Sequence, residues 1–65
     1  MPRPTVEFDD VEAVKETDLA LCCVIDGEEH WFPKSVFDED SEVYEEGQTG
    51  NLIVHEWFAV KENLV

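Results

Sequence analysis

The sequence predicts a mainly-β domain, a small barrel of four or five short antiparallel strands with a short C-terminal helix. Three observations carry that expectation. An Asp26-Gly27 dipeptide stands between two β-patterned runs, apolar residues alternate with a period of two over much of the first half, and helical spacing occurs once, near the end. The 65 residues allow one small domain, 1–65, and a chain of that size buries only about 60% of the surface it exposes when unfolded.

Pro2 and Pro4 are expected to keep the first residues extended. Over 5–8, Val6 and Phe8 alternate with Thr5 and Glu7. Asp9-Asp10 interrupts the pattern, and 11–15 resumes it with Val11, Ala13 and Lys15 opposite Glu12 and Val14. A short amphipathic helix over 10–16 is the alternative, since Val11 and Val14 lie three apart, but the β-branched residues favour a strand. The next strand, 18–25, places Leu19, Leu21, Cys23 and Ile25 on one face and Ala20, Cys22 and Val24 on the other. Two apolar faces predict a central strand covered on both sides.

Asp26-Gly27 supplies the positive φ angles of a tight hairpin turn. The returning strand runs over 28–32 and stops at Pro33, which has no N–H for the ladder. Residues 33–37 read as a turn or a single helical turn. The following stretch, 38–46, is an acidic loop pinned to the body by Val43 and Tyr44, and 47–50 form another turn. A short β-branched strand over 51–54 leads into a helix over 56–64, in which Trp57, Val60 and Leu64 recur at helical spacing beside Phe58. Glu56 in its first turn and Lys61 near its end suit the helix dipole. Strands arranged around one hairpin with a closing helix fit an SH3-like or OB-like barrel, and closure would remove exposed strand edges.

Composition narrows the function. Seventeen Asp plus Glu against four Lys plus Arg give a formal charge of −13, which disfavours direct binding to nucleic acid or an anionic membrane, both of which recruit Lys and Arg. No apolar run approaches the roughly 18 residues that span a bilayer. Met1-Pro2-Arg3-Pro4 lacks the apolar core of a secretory signal, so a soluble, cytoplasmic chain is expected. The hydrophobic fraction of 43%, with two Trp, four Phe and one Tyr, is too high for a disordered acidic tail.

No catalytic pattern is evident. Thr17, Ser35, Thr49 and the two cysteines are possible nucleophiles, and His30 and His55 possible bases, but none stands in a nucleophile-elbow context. A non-catalytic protein without cofactor or metal is therefore expected. Zinc would need three or four of Cys22, Cys23, His30 and His55, and adjacent cysteines on a strand point to opposite faces. One cysteine is expected to fill the core and its neighbour to face the other side, a reactive thiol pair being the alternative. Asp38-x-Asp40-x-Glu42 imitates the start of an EF-hand loop, but Val43 stands where glycine is required and Thr49 where a bidentate acid is.

Two features remain. His30, Trp31, Lys34 and Ser35 cluster beside an aromatic, and with Trp57 they form a face that could stack on a nucleotide, a single strand or a partner's side chain; the plainer reading is that both tryptophans cover the ends of a small core. The other feature is acidity well past the magnitude of about 2–8 suited to a small soluble domain. Asp26, Glu28, Glu29, Asp38, Glu39, Asp40, Glu42, Glu45 and Glu46 are expected to form a face that docks on a basic, nucleic-acid-binding surface of a host or phage protein, with carboxylates standing in for phosphates. Solubility alone is the plainer account of the charge. A third reading is a minor subunit of a larger assembly, held by an apolar patch.

The chain also resembles a group of small bacterial and phage proteins. The resemblance rests on Glu16-Thr17-Asp18-Leu19-Ala20, Asp26-Gly27-Glu28, a Trp31-Phe32-Pro33-Lys34-Ser35 box, Asp40-Ser41-Glu42-Val43 and Glu56-Trp57-Phe58-Ala59. It covers most of the chain from Glu16 onward, and the Trp-Phe-Pro-Lys-Ser box is its distinctive part. It implies a compact stand-alone domain of the kind carried by phage and mobile elements, and it assigns no activity and no functional residues.

Overall fold

Residues 4–65 are described by a computed structural model; the extended conformation expected at Pro2 lies outside them. The order is β1 (Thr5–Glu16), β2 (Ala20–Ile25), β3 (Glu28–Pro33), a 3-10 turn (Lys34–Val36), β4 (Thr49–His55) and α1 (Glu56–Lys61). All pairings are antiparallel, and the strands form one sheet in the order β3-β2-β1-β4. The mainly-β class and the C-terminal helix are as expected. The sheet, however, is open: β3 and β4 are its two edges, and no fifth strand joins them among the described residues, where Phe37 makes one isolated bridge to Val54.

The first strand departs most from its sequence pattern. Asp9-Asp10 does not end it; β1 continues for 12 residues and absorbs the interruption as a bulge between Phe8 and Val11, with Asp10 at φ 56°. A left-handed φ is tolerated by Asp better than by most side chains. The extra residue lets Phe8 and Val11, an odd number of positions apart, both turn toward the core. A second irregularity between Ala13 and Lys15 pairs Ala13 with Cys23 and Lys15 with Cys22. Adjacent partners face opposite sides, so Lys15 leaves the face of Ala13 that strict alternation assigned to it.

The Asp26-Gly27 hairpin forms with φ of 52° and 83°, as its sequence requires. β2 begins at Ala20 rather than Asp18, because the Thr17 hydroxyl accepts the Ala20 N–H at 3.1 Å and turns the chain there. Leu19 is left 81% exposed instead of in the core. The core lies on one face of the sheet, where Val11, Leu21, Phe32, Val36, Val43, Leu52 and Val54 are shut from water together with Phe58 and Ala59 of α1. Cys23 belongs to this cluster, and the equally buried Cys22 lies outside it, as alternation predicts; both are free thiols.

The helix is shorter than the pattern indicated and turns a different side inward. Phe58 and Ala59 are buried, with the Phe58 ring 5.6 Å from that of Phe32, whereas Trp57 and Val60 remain 55% and 59% exposed. No linker separates β4 from α1, so the helix start is set by His55 and not by the apolar spacing downstream. It closes with Asn63 at φ 58° and paired bonds from Leu64 N–H to Ala59 C=O (2.8 Å) and Asn63 N–H to Val60 C=O (3.1 Å). That pattern is a Schellman end, and it returns Leu64 to the core.

The acidic stretch covers the outer edge of β4. Asp38 N–H donates to Ile53 C=O at 2.9 Å, and the N–H groups of Glu42 and Val43 donate to Asn51 C=O at 3.0 and 3.2 Å. In return Asn51 N–H is accepted by Glu42 Oε1 (2.9 Å) and Ile53 N–H by the Ser41 hydroxyl (3.1 Å), which itself donates to Val43 C=O. Backbone N–H groups and two side chains here together do the work of a fifth strand, and the bonded stretch of the edge offers no free template. Val43 anchors the loop as expected, but Tyr44 is 52% exposed and does not. Ser41 is buried, so Ser41→Ala leaves Ile53 N–H without its acceptor and is expected to cost about 1–3 kcal/mol. Urea denaturation measures this as a lower midpoint at an unchanged slope; an unchanged midpoint would remove the edge cover from the account of stability.

Candidate functional site

The bulge in β1 and the turn between β2 and β3 face one another across a groove of ≈ 560 Å³. The acidic residues Glu7, Asp9, Asp10, Glu12 and Asp26 line it, with no Lys or Arg among the described lining residues. Asp10 and Asp26 stand in left-handed backbone, which fixes where their side chains leave the chain. Of the residues expected on an acidic face, only Asp26 lines this groove. Glu29 lies on the same outer face of the sheet as Glu12, since both pair with Val24, and Glu28 alternates to the other side.

The remaining acids of that expected face lie in the loop, and two of them serve the backbone. Asp38 Oδ2 accepts Asp40 N–H at 3.0 Å, and Glu42 holds Asn51 as described. Glu39, Asp40, Glu45 and Glu46 have exposed side chains. Among the described residues no group of three or more His, Cys, Asp and Glu is arranged to hold a metal ion. Sequence reasoning missed Glu7, Asp9, Asp10 and Glu12. The available signal was the Asp9-Asp10 interruption, because a charged pair inside an otherwise alternating strand marks a bulge that points both carboxylates outward.

The aromatic cluster is separated rather than assembled. Trp31 is 48% exposed and lines a second, apolar groove of ≈ 370 Å³ with Leu19, Ala20, Pro33, Phe58 and Glu62. His30 alternates to the opposite side of β3 and lies 4.0 Å from the Glu28 carboxylate. Lys34 is drawn into an ion pair with Glu16, each side chain about one-third exposed, and Ser35 is exposed in the 3-10 turn. Trp57 stands edge-on to Phe58 at 5.8 Å and does not line the Trp31 groove. Leu19, Phe58 and Glu62 complete this groove; Thr17-Asp18, a turn-forming pair just before the strand, was the signal that Leu19 falls outside it.

Glu16 ties three parts of the fold together. One oxygen takes the Lys34 ammonium, and the other accepts Glu46 N–H from the loop at 3.0 Å. The Lys34 hydrogen bond, followed by that from Glu46, holds the Glu16 carboxyl below its ordinary value of 4.5. On the outer face Cys22 lies between Lys15 and Trp31, its partners on the neighbouring strands. Burial first, then the charge of Glu29, raises its thiol, with Lys15 acting in the other direction. Cys23, in the core, is pushed up to about 12 by burial.

Compared with known proteins, the chain matches no family model, no curated protein and no solved structure. No helix among the described residues is long and apolar enough to cross a membrane.

Because Glu16 is more acidic folded than unfolded, its contribution is present above pH 4.5 and is lost as pH falls through the lower folded value. Glu16→Gln is therefore expected to be less stable than the parent at pH 7, with the gap closing below pH 4.5; a gap that stays constant across a pH series of urea melts would contradict this. At pH 8 a disulfide reagent should modify both cysteines more slowly in the native protein than a free thiol, because burial denies access and keeps each thiol protonated. Denaturant should release both. One fast thiol per native chain would place Cys22 in the open.

Proposed function

We propose that this chain is a non-catalytic, acidic protein-binding domain that docks on the basic, nucleic-acid-binding surface of a host or phage protein. The observation that carries the reading is the groove between the β1 bulge and the β2–β3 turn, which five acidic residues line with no Lys or Arg beside them among the described residues. A fixed set of anions on a −13 body attracts a positive surface over a Debye length and speeds encounter. The binding face under this proposal is Glu7, Asp9, Asp10, Glu12 and Asp26, flanked by Glu29, with Glu39, Asp40, Glu45 and Glu46 adding field from the loop. The resemblance to small bacterial and phage proteins assigns no activity; the inhibitor or modulator role rests on charge, and we place it in the cytoplasm, where two free cysteines are ordinary. We read the fold as an SH3-like or OB-like barrel left unclosed, supported by the pairing of β1 with the last strand and by the Phe37–Val54 bridge.

The alternative, a small-ligand or single-strand nucleic-acid module, has the half-exposed Trp31 in its favour. Against it stand the engagement of Lys34 by Glu16 and the placement of His30 and Trp57 away from the Trp31 groove.

The immobilised protein, challenged with bacterial lysate, should retain nucleic-acid-binding proteins that excess duplex DNA displaces. Raising salt from about 50 mM to about 500 mM should release them, since the Debye length falls severalfold. Retention should drop in a triple Glu7→Gln, Asp9→Asn, Glu12→Gln variant and persist in Asp18→Asn with Glu56→Gln. A partner held equally through high salt and DNA would overturn the proposal.

A further inference from the structure

The sheet treats its two edges differently. The β4 edge is occupied by five hydrogen bonds from 38–43, two of them from side chains. Among the described residues no segment pairs with the outer edge of β3. The two-residue turn makes Ile25 and Glu28 a hydrogen-bonded pair, so Cys23 with His30 and Leu21 with Phe32 are bonded inward by antiparallel alternation. The bond from Lys34 N–H to Leu19 C=O at 2.9 Å continues the series. The backbone groups of Glu29 and Trp31 therefore point outward and are unpaired, and the missing donor of Pro33 falls on that same side.

The side chains along this edge are ordered. Glu29, Trp31 and Pro33 share the outer face, giving an acid, an exposed aromatic ring and an apolar ring in succession. Trp31 and Pro33 continue into the apolar groove with Leu19, Ala20 and Phe58, and Glu62 stands at the groove as a second acid. A strand added in register places its own residues beside these three, on the same face. Glu29 and Glu62 select against a second copy of a chain carrying −13 and for a cationic partner.

We propose that the free edge of β3 is a docking site for an extended segment of a partner protein, which adds antiparallel to β3 and reads apolar, any, apolar, any, basic. Its basic residue lies opposite Glu29, its central apolar residue opposite Trp31, and its first apolar residue opposite Pro33, over the groove. Main-chain bonds to Glu29 and Trp31 supply affinity, and the three outward side chains supply selection. This surface and the acidic groove share no lining residue, and Glu29 alone borders both: the groove lies at the turn of the β2–β3 hairpin and the docking edge runs toward its open end. Either reading can fail without the other.

The test uses Trp57→Phe protein, so that Trp31 is the only fluorophore of its kind, and the peptide acetyl-Thr-Leu-Thr-Val-Thr-Arg-Thr-amide. Binding is expected to shift the Trp31 emission and to slow hydrogen exchange at the Glu29 and Trp31 amides, leaving the inward Phe32 amide unchanged. N-methylation of the peptide Val should weaken binding about tenfold or more by removing the bond to Trp31 C=O. Replacing the peptide Arg by Glu should also weaken it, as should Leu19→Ala in the protein, whose exposed side chain carries little stability. The proposal is overturned by no binding at millimolar peptide, by affinity that survives N-methylation, or by unchanged exchange at Glu29 and Trp31. Sedimentation showing a dimer that protects those same amides would overturn it in favour of a second copy.

Discussion

β1 must present one apolar face to two neighbours that meet it along different parts of its length, and it manages this only by breaking register twice. Its first half pairs with β4, its second half with both β2 and β4. Without the extra residue at Asp9-Asp10, Phe8 and Val11 would face opposite sides and the core would lose one of them. Without the irregularity at Val14, Glu16 would not emerge beside Leu21, from where it reaches both Lys34 and Glu46. The acidic groove is a by-product of the same device, since the residue that corrects the inner face is the one that throws carboxylates outward.

The surplus of acids divides by use. Glu16, Asp38 and Glu42 accept hydrogen bonds that fix a turn, a loop or a strand edge. Those on the β1 bulge and at the hairpin turn have no such partners among the described residues and line one groove. A Cα radius of gyration of 10.6 Å sets these charges within about one Debye length of each other at low salt. The fold therefore carries its own repulsion, offset by a small core and by the engaged carboxylates.

Elements fixed by local chemistry were legible in the sequence. The Asp26-Gly27 turn, the strands either side of it, the single helical turn after Pro33 and the division of Cys22 from Cys23 all follow from residue type and alternation. Features that depend on where a distant strand lands were not. The two bulges in β1 exist to suit β4 and β2, and the inward side of α1 is set by its direct exit from β4, so Phe58 displaces Trp57 and Val60 from the core. Ser41 and Glu42 read as solvated loop residues because nothing local shows that Asn51 and Ile53 need partners. The candidate site was legible in kind, as carboxylates on a β scaffold, but its location moved from the 38–46 loop toward β1.

The loop laid along β4 also limits stoichiometry. Strand-by-strand polymerisation needs two free edges on every subunit, one to receive and one to offer. Here growth has a single direction open and stops after one addition, so the route to filaments and cross-β stacking through sheet edges is closed on one side by Ser41 and Glu42.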